Sequence, residues 1–220
     1  MTLAHSYSSI KQFENCPRQY HEVRILKRFK SSDTQATLYG TAVHKAFEEF
    51  IRDGTPLPEN FEHYRAFVEP LAGLQGTVLC EQKMGIRADF SACGFFDRDV
   101  WFRGVPDYLH INSAGTTARV ADYKTGKSSR YADPGQLELM AGMIMAHYPN
   151  VQRVKGALLF VVANDIVKCE FTRAQFPEIM SKWAGRAGQI ETAVEVGVWN
   201  PRRGPLCGFC PVSSCDHHPG

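Results

Sequence analysis

Residues 100–126 read VWFRGVPDYLHINSAGTTARVADYKTG, and this stretch decides the architecture. Two runs of strand-forming residues, 100–111 and 117–123, flank Asn112-Ser113-Ala114-Gly115, which has turn chemistry, so a β-hairpin is predicted. Each arm carries one carboxylate where an apolar side chain would be expected: Asp107 in the first, Asp122 in the second. A buried ionised carboxylate is costly unless it is paired or holds a metal, so both residues call for a chemical explanation. Strand alternation puts Ala118, Val120, Asp122 and Lys124 on one face. A turn that sets Asp107 opposite Val120 makes Asp107 and Asp122 diagonal neighbours on that face, roughly 7–8 Å apart at the backbone, from which both can converge on one ion. A slip of one residue would send them to opposite faces.

Working outward, GTAVHKAFEEFIR (40–52) spaces Val43, Phe47, Phe50 and Ile51 as one helix face, closed by Asp53-Gly54-Thr55-Pro56. A shorter helix capped by Ser8 and ending near Cys16 precedes it, and a second helical stretch (58–73) follows. Strands are expected over 77–82 and 83–88. Downstream of the hairpin come a helix over 136–147, a strand over 156–162, a turn at Asn164-Asp165, a strand over 166–172 and a helix over 174–196. The order predicts a mixed α/β domain with a central mixed β-sheet flanked by helices.

At 220 residues the chain suits a single domain spanning 1–220. The net charge is only +2, so bulk electrostatics does not specify a polyanionic partner and any nucleic-acid contact must be local. Lys124, Lys127 and Arg130 beyond the second arm, with Arg202 and Arg203 near the C-terminus, are the candidates for phosphate contacts. Tyr20, Phe29, Tyr131 and Trp199 are candidate stacking residues. No secretion signal is evident, and the longest apolar run, 157–163, is too short to span a bilayer, which points to a soluble, cytoplasmic protein.

Seven cysteines without a secretion signal argue against a disulfide framework. Cys80, Cys93 and Cys169 are read as packing residues, two of them lying in apolar strand-like segments. Cys207, Cys210 and Cys215 crowd into PLCGFCPVSSC, where Pro205 and Pro211 forbid regular structure and Gly208 lets the backbone wrap closely around a ligand. Cys16, at the end of the first helix, is the best fourth ligand. Four thiolates suit a 4Fe-4S cluster, whereas three with His217 or His218 suit zinc, and spacing alone does not choose. Either centre would staple both ends of the chain, closing a loop that opposes roughly 4–5 kcal/mol of unfolded-state entropy.

Asp107 in GVPDY, followed across a short hairpin by Asp122-Tyr123-Lys124, resembles the signature of the PD-(D/E)XK nucleases, which implies a restriction-endonuclease-like core. GTAVH ending at His44 resembles the histidine motif of the RecB-like branch, and Gln136 the start of its Q-x3-Y motif. Phe13-x2-Cys16-Pro17-x2-Tyr20 and the C-terminal cysteine trio resemble the iron-sulfur members, such as the AddB nuclease domain and the CRISPR-associated RecB-like exonucleases. The chain departs from the pattern in having Met140 at the tyrosine position and four residues between Cys210 and Cys215.

The resemblance implies a Mg²⁺- or Mn²⁺-dependent exonuclease acting on single-stranded DNA or DNA ends, in recombination, repair, phage DNA processing or CRISPR adaptation. His44, Asp107, Asp122 and the Tyr123 carbonyl would hold the metal, Lys124 would orient the attacking water or stabilise phosphorane charge, and Gln136 would position the lysine or the DNA. Glu81 is a further candidate acid, and Glu48 a candidate for orienting His44. A 4Fe-4S cluster on Cys16, Cys207, Cys210 and Cys215 is implied, as are a helicase, recombination or CRISPR partner and an oligomer. Two other classes compete: a non-catalytic DNA-binding subunit organised by zinc or iron-sulfur, and a redox-sensing module. The complete His44, Asp107, Asp122 and Lys124 set argues for the enzyme.

Overall fold

The computed structural model describes residues 3–30 and 34–218; residues 1, 2, 31–33, 219 and 220 of the expected 1–220 domain lie outside this description. The chain begins with α1 (Tyr7–Asn15) and a short α2 (Pro17–Tyr20) that runs into a π-helical turn (His21–Ile25). Next come α3 (Gln35–Asp53), a 3-10 turn (Glu59–Tyr64) and α4 (Arg65–Ala72). The strands β1 (Gly76–Cys80), β2 (Met84–Ile86), β3 (Ala92–Cys93), β4 (Phe102–Gly104), β5 (Tyr108–Asn112) and β6 (Thr117–Lys124) follow. Then α5 (Gly135–His147) leads to β7 (Arg153–Phe160), β8 (Asp165–Thr172) and the long α6 (Phe176–Val196).

Five strands form a mixed sheet in the order β1-β5-β6-β7-β8, in which only β6 and β7 are parallel, joined by α5. A parallel pair needs a crossover of a dozen or more residues, and α5 supplies it. Alternation along β6 divides the core in two. Ala118 and Val120 face α5, α6 and α1, whereas Ala121 and Tyr123 face α3 and α4. The expected mixed α/β architecture, a central mixed sheet between helices, is the one observed.

The first arm of the hairpin is not one strand. Pro106 lacks a backbone N–H, and the ladder breaks around it. β4 leaves to pair with β2 in a separate three-stranded sheet, β3-β2-β4, while β5 pairs with β1 and β6. The register also differs from the expected one. Leu109 pairs with Val120 and Tyr108 with Ala121, so continuing the ladder brings Asp107 level with Asp122. The cause is Asn112, whose Oδ1 accepts from both the Thr116 and Thr117 N–H groups at 2.9 Å and draws two further residues into the loop. An even shift keeps the face, so the two carboxylates still meet.

α3 starts at Gln35, earlier than the apolar spacing suggests, because Thr34 caps it. The Thr37 N–H donates to Thr34 Oγ1, and the Thr34 N–H donates back to Thr37 Oγ1. Ser6, not Ser8, caps α1 in the same manner with Ser9. Gly40 lies where α3 crosses the end of β6, and a Cβ there would stand 3.1 Å from Thr125 Oγ1, which would have to give by a few tenths of an ångström. This close approach brings His44, one helical turn later, against the end of the strand.

The C-terminal end of α5 is closed from a distance. The Arg173 guanidinium donates to the carbonyls of Met145, Tyr148 and Val151 at 3.0, 2.9 and 2.6 Å, satisfying acceptors that the helix itself leaves open. Arg173→Ala should therefore cost about 1–3 kcal/mol, lowering the urea midpoint with no change in slope. An unchanged midpoint would show that solvent serves those carbonyls equally well.

Candidate active site

β6 ends in Asp122-Tyr123-Lys124, and alternation points the three side chains to opposite sides of the sheet. Tyr123 packs edge-on against Phe47 and His44 of α3, with ring centroids 4.9 and 5.6 Å apart. Asp122 and Lys124 turn towards the start of α5. There Lys124 Nζ lies 2.5 Å from Asp122 Oδ2 and donates to Gln136 Oε1 at 2.9 Å, while Gln136 Nε2 donates to Asp122 Oδ1. The carboxylate, the ammonium and the amide thus form a closed triangle.

The Tyr123 backbone carries the other half of the site. Its N–H donates to Asp107 Oδ2 at 2.7 Å, and its carbonyl lies 2.9 Å from His44 Nε2. His44 Nδ1 stands 3.3 Å from Asp107 Oδ1, so a doubly protonated ring satisfies both neighbours. Burial opposes that charged ring, but the hydrogen bond and charge of Asp107, aided by Asp122, raise the His44 pKa above its ordinary value. Glu81 joins from the end of β1. It takes a left-handed backbone (φ +52°), unusual for a side chain of its kind, and its N–H donates to the Asp107 carbonyl at 3.2 Å.

Ligand atoms of His44, Glu81 and Asp107 all lie within 4.8 Å of one another. Asp122 is 6% exposed, and burial, then the Asp107 charge, push its carboxyl upward against the pull of Lys124. Burial followed by Asp107 and Glu48 likewise raises Glu81. Three carboxylates therefore share a cleft with one ammonium and are short of positive charge. Carboxylates, an imidazole and the Tyr123 carbonyl form a donor set that fits a divalent cation, which would take the place of the ring protons His44 now directs at Asp107 and that carbonyl.

The sequence-predicted residues fall into two adjoining groups, His44, Glu81 and Asp107 around the Tyr123 backbone, and Asp122 with Lys124 and Gln136, so that Asp122 stands outside the closest ligand cluster. Glu48 does not serve His44; it pairs with Lys45 and Arg52 instead. Met140, at the tyrosine position of the Q-x3-Y pattern, packs against Gly104 of β4. An open groove of about 690 Å³ lies beside the cluster, lined by Thr37, Thr41, Lys45 and Thr125 together with His44 and Glu81. These threonines were not foreseen, although the Thr37, Thr41, His44 spacing on one helix face is a readable signal.

The cysteines fall into two places. Burial pushes the Cys80 and Cys169 thiols up to about 11 and raises Cys93, and it raises Cys210 as well. Cys16, Cys207, Cys210 and Cys215 line one cavity of about 520 Å³. The Arg202 N–H donates to Cys16 Sγ and the Gly204 N–H to Cys207 Sγ, both at 3.4 Å. Arg18 reaches across to the Ser214 carbonyl at 3.3 Å, tying the two ends of the chain together. Tyr20 belongs to the main core and Trp199 packs against it, their rings stacked 6.1 Å apart.

A family model described as the PD-(D/E)XK nuclease superfamily matches residues 4–215. The chain belongs to the PD-(D/E)XK nuclease superfamily. Among solved structures, a candidate exonuclease from Eubacterium rectale is similar at 17% identity and a TM-score of 0.55, covering 93% of this chain and 86% of the other. The protein SSO0001 is similar at 13% identity and a TM-score of 0.51, covering 98% and 87%. At these identities the two structures support the shared fold. No curated protein matches the chain. PD-(D/E)XK nucleases use divalent metals, in keeping with the donor set around Asp107.

Asp107→Asn preserves an acceptor for the Tyr123 N–H while removing the charge. The variant should fold with an unchanged circular dichroism spectrum yet bind Mn²⁺ at least ~10-fold more weakly by calorimetric titration. Equal affinity would exclude Asp107 from the metal centre.

Proposed function

We propose that this PD-(D/E)XK family member is a Mg²⁺- or Mn²⁺-dependent DNA exonuclease acting on single-stranded DNA or DNA ends. The observation that carries the reading is the approach of Asp107, in the bend before β5, to Asp122 at the end of β6, with Lys124 locked between Asp122 and Gln136. A divalent cation held by His44, Asp107, Asp122 and the Tyr123 carbonyl, with Glu81 as a further acid, supplies Lewis acidity to the scissile phosphate and lowers the pKa of a water. Oxygen donors suit magnesium, and the imidazole of His44 extends the choice to manganese.

The chain's own groups do the rest. Lys124 holds its ammonium beside Asp122, from where it orients the attacking water or offsets charge building on the phosphorane oxygens. Gln136 fixes that ammonium through Oε1 and Asp122 through Nε2, so neither needs to reorganise during the reaction. The exposed Lys127, just beyond the end of β6, provides a donor for phosphate oxygens. Recombination, repair, phage DNA processing and CRISPR adaptation all create substrates of this kind, and a helicase or recombination partner fits an enzyme that needs free ends.

For the cysteine cavity the reading is a 4Fe-4S cluster on Cys16, Cys207, Cys210 and Cys215. The four thiols line one open cavity, and four thiolates are the donor set of such a cluster.

Asp122→Ala should lower the rate of Mn²⁺-dependent cleavage of end-labelled single-stranded DNA by at least ~10²-fold while DNA affinity persists. Retained cleavage would sink the site assignment. Anaerobically purified protein should contain about four irons and absorb in the visible, and Cys210→Ser should lose both; a colourless protein carrying one zinc would replace the cluster with a zinc knot.

A further inference from the structure

The small sheet β3-β2-β4 carries a surface that the catalytic cleft does not explain. Its inner face, Met84, Ile86 and Phe102, is buried in the main core. Its outer side is covered by the loop after β3, which holds Phe95 and Phe96 edge to face with centroids 4.9 Å apart. Phe96 is 76% exposed, an unusual cost for a ring that could have been buried. Lys83 Nζ stands 5.3 Å from the Phe96 centroid, and the Arg103 guanidinium 5.3 Å from that of Phe95. Among the described residues neither cation has a carboxylate partner, because Asp97 and Asp99 are engaged by Arg87. Nearby, Phe90 is held at φ +66° and stacks on Trp101, a left-handed conformation that aromatic residues rarely adopt.

The chain connects this surface directly to the cleft. Lys83 lies two residues after Glu81, and Asp107 lies three residues after Gly104, which pairs with Met84. At no more than about 3.6 Å per residue, the paired end of the small sheet stands within about 11 Å of Asp107 along the backbone. Exposed rings interleaved with unpaired cations are the recognition chemistry of a single strand, with π faces for bases and positive charge for phosphates.

We propose that Phe95 and Phe96, with Lys83 and Arg103, form a stacking platform for the unpaired bases of a nucleic-acid strand whose scissile phosphate occupies the Asp107–Asp122 cleft. The inference rests on the nuclease reading and specifies its substrate as single-stranded at this position. The platform discriminates by base stacking, not by sequence, and a duplex end would have to be splayed to reach it.

The test is fluorescence anisotropy of the full chain in EDTA with a labelled 12-nucleotide oligothymidine and with an abasic strand of equal length. Phe96→Ala should weaken oligothymidine binding by about 5- to 30-fold, and Phe96→Trp should restore it. The abasic strand should bind wild type and Phe96→Ala alike. Unchanged oligothymidine affinity in both Phe96→Ala and Phe95→Ala would overturn the platform, as would an equal loss on the abasic strand, which would signal a general structural effect. Parallel cleavage assays in Mn²⁺ separate the two ideas. Base-dependent binding without cleavage removes the nuclease reading and keeps the platform, whereas cleavage with ring-independent binding does the reverse.

Discussion

The hydrogen bond from the Tyr123 N–H to Asp107 Oδ2 holds the candidate site together. Asp107 sits where the β5 ladder has already ended, so its carboxylate takes the place of a strand partner and closes the last rung of β6. That single contact fixes the rotation of Tyr123. With the N–H committed, the carbonyl faces His44, the ring drops between α3 and the sheet, and alternation turns Asp122 and Lys124 to the far side, where Gln136 meets them. Two helices from opposite layers are therefore registered against one residue's backbone.

The electrostatics follows from this geometry. Burial raises Glu81 and Asp122 and opposes the charged His44, and Asp107 is the shared neighbour that adds to the first two as a like charge and raises the third as a hydrogen-bond partner. Lys124 offsets part of the negative charge, but its ammonium is bound up with Asp122. A cleft arranged in this way stores a demand for a cation, which ordinary folding would have removed by placing an apolar residue at either aspartate.

Much of this was legible in the sequence because the chemistry violates the local pattern: Asp107 and Asp122 stand out in strands that should be apolar, and Lys124 shares a face with Asp122. Glu81 was legible only as a carboxylate in an apolar segment; its left-handed turn depends on a tertiary contact with Asp107. The register escaped sequence reasoning because the Asn112 side chain, not the backbone turn type, sets the loop length. The split between β4 and β5 escaped it because Pro106 marks a change of sheet, which a one-dimensional pattern reads as a continuous strand. Phe95 and Phe96 carry no periodic signal, since they lie in a loop, where exposure is a property of the finished fold.

The cavity lined by Cys16 and the C-terminal cysteines has a consequence for the order of synthesis. Cys16 and Cys207 stand 191 residues apart in the chain, so the wall that carries Cys16 is synthesised well before the wall that carries the cysteine trio. At 5–20 residues per second that interval is about 10–40 s. By its end the sheet, the cleft and most of the core have been synthesised, while the Cys16 thiol still lacks the C-terminal cysteines. The N-terminal helices then gain their final neighbours only when the tail arrives, so a chain truncated shortly before Cys207 would carry the whole catalytic constellation on a fold whose ends were never joined.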